Sequence, residues 1–282
     1  MEKFYSFAGV DIVVSTRPEW MYTDDRALEQ FRAASVDDPH HFAFEMVREL
    51  TPPRGSAIGI TDEQLVYSDE AGTVHFVGAL NGQWRTAYMR IHHSGKLHTV
   101  ELKADRFASG LTAKTALNAA NVQKLVLERD GIAFHASCVA TESGAIVFTA
   151  PSGVGKSTQA ELWRSLRGAR IVNGDRCVLR IAEGEVLACG IPFSGSSSYC
   201  ENVALPLKAI VYLGQASQTS IRRLRGTEAF RRIWEGVSVN TWNVEDVASA
   251  MDITTRVIGA VPVYHLVCTP DESAVLTLEQ QL

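Results

Sequence analysis

The rhythm of apolar and polar positions changes near residue 110. Before it, YSFAGVDIVVS, QLVYSD, TVHFVGAL, TAYMRIHH and LHTVELK are short β-branched and aromatic runs separated by Gly, Asn and Asp, which predicts half-buried strands. One segment breaks the pattern. SVDDPHHFAFEMVREL opens with Asp37 and Asp38 as caps and carries Pro39 early, where a missing N–H costs little, so it predicts a helix. Past residue 110, LTAKTALNAANVQKLVLERDG gathers Leu117, Val122, Leu125 and Val126 on one side and stops at Gly131, which predicts another helix. The apolar runs then become nearly continuous. IAFHASCVA, GAIVFTA, ARIVNGD, LKAIVYLG and VPVYHLVC have the texture of strands covered on both faces, and CVLRIAEGEVLACG predicts a hairpin turning at Glu183-Gly184. This change predicts a small strand-rich α+β domain over residues 1–110 and an α/β domain over residues 111–282.

The stretch AIVFTAPSGVGKSTQAELWRSL, Ala145 to Leu166, reads as apolar strand, glycine-containing loop and amphipathic helix, with Ala160, Trp163 and Leu166 on the apolar side. Ala150 through Ser157 fits the pattern AxxxxGK[ST]. Gly153 and Gly155 let backbone N–H groups turn inward, and a helix beginning at Lys156 adds its positive N-terminal dipole. Lys156 would neutralise β/γ-phosphate charge, and the Ser157 hydroxyl would ligate Mg²⁺. Ala150 stands where the strict motif has glycine. That residue shapes the turn and need not touch phosphate. The expected phosphate cradle is therefore Ser152, Gly153, Val154, Gly155, Lys156, Ser157 and Thr158. A metal-holding acid is expected at the end of a nearby strand, and ARIVNGD supplies Asp175, with a structural turn aspartate as the alternative.

FHASCVATESGAIVFTAPSGVGKSTQAELWRSLRGARIVNGDRCVLR resembles the catalytic core of the HPr serine kinase/phosphatases. In that family a His-containing strand precedes a GxSGxGKS loop, and a later strand ends in Asp-Asp-Arg. The resemblance spans roughly residues 110–270. It implies a P-loop core similar to that of HPr kinase and phosphoenolpyruvate carboxykinase. It also implies ATP phosphates on Ser152 to Thr158 and Mg²⁺ on Ser157 and Asp175. His135 matches the family's histidine, and Asp175 its second aspartate, followed by Arg176. Gly174 replaces the first aspartate, so one carboxylate must serve for metal binding, base catalysis or both. His135 is the other candidate base, or else a buried structural imidazole.

The activity implied is an ATP- and Mg²⁺-dependent kinase acting on a hydroxyl, first of all a serine of a peptide or protein, including ribosomally made peptides. The family's downstream signature for its protein substrate is missing, so HPr itself is not the expected target. A small-molecule kinase acting on, for example, free serine stays open, as does a nucleotide-binding regulatory module without turnover. GIPFSGSSSYCENVALPLKAIVYL adds Glu201 and Lys208 as candidate contacts to metal, nucleotide or acceptor, against an ordinary surface loop.

Bulk properties narrow the partners. A net charge of −5 over 282 residues argues against nucleic acid, whose phosphates demand clustered Lys and Arg. The one basic run, RRLRGTEAFRR (Arg222 to Arg232), reads as a solvated face leading into a helix, or as a site for an acidic partner. The five cysteines are scattered and fit reduced thiols. His40-His41 and His92-His93 alternate across a strand, so neither pair closes on one ion, and they are expected at the surface. The N-terminal apolar run is broken by Asp11 and reads as a strand, not a secretion signal. No run reaches the ~20 apolar residues of a bilayer span. A soluble, cytoplasmic protein is expected.

Overall fold

Two large sheets and few helices make a mixed α/β protein; the structure is a computed structural model that describes residues 2–17, 26–61, 64–107, 119–193 and 198–282. The chain divides into two compact units, Met1–Ser6 with Val10–Asn121, and Val122–Leu282 with Phe7–Gly9.

The first unit holds β1 (Glu2–Phe7), β2 (Val10–Ser15), one helical turn α1 (Arg26–Glu29), β3 (His40–Val47), β4 (Ser56–Ile60), β5 (Gln64–Asp69), β6 (Gly72–Val77), β7 (Met89–Ser94) and β8 (Leu97–Lys103). They form one sheet in the order β1-β2-β3-β8-β7-β6-β5-β4. β3 lies parallel to both β2 and β8, and the β8-β7-β6-β5-β4 run is antiparallel.

β3 corrects the helix expected over SVDDPHHFAFEMVREL. Asp38 does not cap; it turns the chain with φ +50°, and His40, Phe42 and Phe44 then point inward while His41, Ala43 and Glu45 point out. That alternation is the period of a strand, and two parallel neighbours complete its hydrogen bonds. Of the four histidines expected at the surface, His41 is exposed, His92 and His93 are half-buried and His40 is buried. His75 and His98 are buried beside them. His93, His98 and His40 make a chain: His93 Nδ1 lies 2.9 Å from His98 Nδ1, and His98 Nε2 lies 3.0 Å from His40 Nδ1. Burial, followed by His75 and His98 as like-charged neighbours, holds the His93 imidazole well below its ordinary range.

The second unit begins with α2 (Val122–Leu127). Of the helix predicted from residue 111, positions 111–118 lie outside the described residues, and Asn121, at φ +47°, interrupts the rest. The run IAFHASCVA is two strands, β9 (Gly131–His135) and β10 (Ser137–Thr141), parted at Ala136. β11 (Gly144–Thr149), α3 (Lys156–Arg167), β12 (Arg170–Asn173), β13 (Arg176–Ala182), β14 (Glu185–Cys189) and β15 (Ala204–Gln215) follow. β16 (Ser220–Leu224), α4 (Gly226–Trp234), β17 (Val237–Ser238), α5 (Val244–Ala260), β18 (Val263–Cys268) and α6 (Glu272–Glu279) complete the unit. The hairpin turns at Glu183 and Gly184, both at positive φ, as a two-residue hairpin turn requires.

The sheet runs β12-β10-β11-β15-β14-β13-β9-β17, with β18 beside β15 and β16 beside β18. β15 is the hinge of this arrangement. Its first residues pair antiparallel with β14, while its later ones run parallel to β11 and β18. Alternate residues of the parallel trio face two cores, as predicted for strands buried on both sides. Phe148, Val211 and Leu266 pack with Trp163 of α3 and Leu278 of α6. Val147, Ile210 and Val263 pack with Ile233 of α4 and Val257 of α5. Among the described residues no helix is long and apolar enough to cross a membrane.

Candidate active site

The loop between β11 and α3 leaves the sheet at the carboxyl end of a parallel strand, where α/β sheets place ligands. Gly153 and Gly155 adopt φ +81° and +124°, and a Cβ built on either meets no heavy atom within 4 Å. Glycine is thus required here by backbone angle, not by crowding, and the concavity is open. Gly155 caps α3 with no side-chain hydrogen bond. The first N–H groups of a helix have no intrahelical partner, so those of α3 face the loop as a positively polarised end.

Lys156 is buried and folds back across the loop, its Nζ donating to the Ala150 carbonyl at 3.1 Å. Burial lowers its pKa, and the Asp175 carboxylate opposes that effect. Ser152, Ser157 and Thr158 are exposed on the loop and first turn. Val154 anchors the loop: its carbonyl accepts from Gln215 Nε2 at 3.2 Å.

His135 and Asp175 reach the same place from different strands. His135 ends β9, and its Nε2 lies 3.1 Å from Asp175 Oδ1 in the connection between β12 and β13. Three hydrogen bonds fix this junction: His135 N to Gly236 O at 2.7 Å, Thr149 Oγ1 to His135 O at 3.0 Å, and Ser137 Oγ to Gly174 O at 2.8 Å. The imidazole pKa is lowered, first by burial and then by the Lys156 ammonium, with Asp175 pulling the other way. Its influence from Lys156 and Asp175 together ties the histidine to the loop. Arg176 is exposed beside them, its Nε 3.7 Å from Asp175 Oδ2.

The other two candidates go elsewhere. Lys208 is exposed near the start of β15, against Gly144 at the start of β11, whereas the loop follows the opposite end of β11. Glu201 donates its backbone N–H to Val172 O at 3.0 Å in β12, but its carboxylate is ion-paired with Arg170 at the start of that strand. Residues 194–197 of the GSSS segment lie outside the described residues.

Several polar residues beside the site are not signalled by any sequence motif. Asn173, fully buried at the end of β12, donates through Nδ2 to Ile191 O (3.0 Å) and Phe193 O (3.1 Å) and accepts from Ile191 N at 2.9 Å. It fastens the segment after β14 to the residue two before Asp175. On the α4 side, Tyr212 donates to Glu235 Oε2 at 2.8 Å, and Arg232 lies over its ring at 4.9 Å. Glu235 precedes the Gly236 whose carbonyl holds His135. Within the basic run, Arg222 is ion-paired with Glu228 and Arg232 with Glu235.

No family model and no curated protein matches the chain. Among solved structures, the HPr(Ser) kinase/phosphatase from Coxiella burnetii is similar over 53% of this chain and 89% of its own length, at 13% identity and a TM-score of 0.31.

Proposed function

We propose that the second unit is an ATP- and Mg²⁺-dependent kinase that phosphorylates a hydroxyl, in the first instance a serine of a peptide or protein. The observation that carries this reading is the meeting of three side chains beside an open, uncapped glycine loop. Lys156 starts the helix after that loop, and His135 and Asp175 stand 3.1 Å apart within its electrostatic reach. Phosphoryl transfer asks a protein mainly for positioning and charge neutralisation, and these groups suit both tasks.

The amides from Gly153 to Thr158 would cradle the phosphates, and the Lys156 ammonium would leave the Ala150 carbonyl for a phosphate oxygen. Ser157 and Asp175 would hold Mg²⁺, which supplies neutralisation of charge on the phosphates. One hydroxyl and one carboxylate suit an ion that arrives with its nucleotide and keeps several waters. The acceptor O–H gives its proton to Asp175 or His135 as its oxygen bonds to the γ-phosphorus and the bond to the β-phosphate oxygen breaks. An uncharged His135 can donate Nε2–H to Asp175, holding that carboxylate ionised and oriented. With Gly174 in place of a second aspartate, forward transfer is favoured over its reversal.

The test is transfer of label from γ-³²P-ATP to a serine-containing peptide library and to free serine, for the natural protein and Asp175→Asn. Labelled peptide with the natural protein alone supports the reading. Labelled free serine without labelled peptide assigns a small-molecule kinase. Nucleotide binding without label on any acceptor assigns a regulatory module.

A further inference from the structure

β16 is the last strand on its side of the second sheet. β18 pairs with one of its edges, and no strand among the described residues pairs with the other. An unpaired edge offers backbone N–H and C=O groups to any extended chain. This one carries two adjacent arginines, Arg222 and Arg223, both exposed. Leu224 packs on the core under α4 and α5, and Ile221 against the core under α3 and α6. Alternation along the strand therefore puts Arg222 on the first face and Arg223 on the second.

The positive charge is concentrated here. From Arg222 to Glu235 five arginines meet two glutamates, which makes +3 in a chain whose net charge is −5. Arg222 donates to both carboxylate oxygens of Glu228, at 2.9 and 2.5 Å, so this surface already holds one carboxylate in a guanidinium fork. That contact uses two of the five N–H donors of the guanidinium. Arg223 and Arg225 have no ion-pair partner among the described residues.

The edge is also level with the glycine loop. Arg222 lies opposite His265, His265 opposite Tyr212, and Tyr212 opposite Thr149, after which the loop begins. At ~4.8 Å per strand, a chain added outside β16 lies about 19 Å from β11, a distance that about six extended residues cross.

We propose that β16 docks an acidic, extended segment of the acceptor polypeptide as a further strand, with neighbouring carboxylates reaching Arg222 on one face and Arg223 on the other. Backbone pairing holds the segment and the arginines select it. The inference rests on the kinase reading above for the purpose of docking. It adds the substrate class, a polypeptide with an acidic pair about six residues or more from its serine. A second copy of this chain is not the occupant, because its own β16 would set arginine against arginine.

The experiment takes the full chain without nucleotide and an extended, fluorescein-labelled peptide carrying a Glu-Glu pair, with a Gln-Gln counterpart. Anisotropy should show tighter binding of the Glu-Glu peptide. The double variant Arg222→Gln, Arg223→Gln should weaken it about tenfold, at roughly threefold for each exposed charge pair, to the level of its counterpart. A second measurement needs no variant. The Glu-Glu peptide should slow amide hydrogen exchange in β16, which attraction between charges alone would not do. Equal binding of the two peptides, or tight binding with exchange in β16 unchanged, overturns the proposal. Adding γ-³²P-ATP separates this inference from the kinase reading. With a serine about six residues from the pair, the double variant should raise KM for the Glu-Glu peptide and leave kcat unchanged. Slowed exchange in β16 with no label transferred removes the kinase reading and leaves the acidic strand docked on β16.

Discussion

Asn173 is the residue whose loss should be felt furthest from its own atoms. It is fully buried, and its amide serves four backbone groups: the Ile191 N–H and the carbonyls of Ile191, Phe193 and, at 3.4 Å, Tyr199. Asn173→Ala removes the partner of all of them; counting only the three shorter bonds at about 1 kcal/mol each, roughly 3 kcal/mol of stability is lost. That is a large share of the 5–15 kcal/mol typical of a folded domain. Asn173→Asp is the sharper test because it preserves shape. The carboxylate can still accept from Ile191 N–H, but it faces three carbonyl oxygens with no proton to give. At neutral pH it should cost at least as much as alanine. Its folded-state pKa would be raised by burial and by those carbonyls, so stability should recover as pH falls and one donor is regained. Urea denaturation followed by Trp fluorescence at pH 5.5 and 8 measures both effects. An Asn173→Asp protein within 1 kcal/mol of the natural one at pH 8 would refute the account of Asn173 as a donor. Because Asp175 lies two residues on, turnover should fall in both variants even where they remain folded.

Lys156→Ala should weaken nucleotide affinity strongly while leaving the melting temperature near that of the natural protein; unchanged calorimetric affinity removes the phosphate-loop assignment. Asp175→Asn should keep substantial nucleotide affinity and lose turnover, since its charge matters most as the phosphoryl group moves; wild-type turnover would make it a turn residue. His135, with a lowered pKa, should stay uncharged at neutral pH, so the rate should be flat there and fall only below the ordinary histidine range. A rate that already falls on going from pH 8 to 7 contradicts this. His93 is held well below its ordinary range, so the unfolded chain binds the extra proton first; stability should be full above about pH 6.5 and drop by up to about 1.4 kcal/mol per pH unit below it. His93→Gln should flatten that slope, and an unchanged slope places its origin elsewhere.

What could be read from the sequence was what local chemistry decides. The loop from Ala150 to Ser157 announces itself because glycine angles, a lysine and a helix start are neighbours along the chain. The hairpin at Glu183-Gly184 is legible for the same reason. β3 was not, because Asp37, Asp38 and Pro39 imitate a helix start, and only partners distant in sequence, β2 and β8, fix it as a strand. Lys208 illustrates the limit well: an apolar run marks β15, but nothing in the run says which end meets the loop. Asn173 was silent for a related reason. Its partners, Ile191 and Phe193, are met only once the sheet has formed.

The division of β15 between antiparallel and parallel neighbours sets an order of events during synthesis. β11 ends at Thr149, yet the strand that runs beside it starts only at Ala204, and the next, β18, at Val263. A ribosome therefore releases the glycine loop long before the edge that supports it exists. β10 covers one edge of β11, but until then its other edge, carrying Val147 and Phe148, has no strand to pair with, the kind of edge that recruits wrong partners. Pairings this distant in sequence close slowly. The edge that supports the glycine loop is consequently among the last parts of the second unit to mature, and a nascent chain halted before Ala204 has the loop without its parallel neighbours.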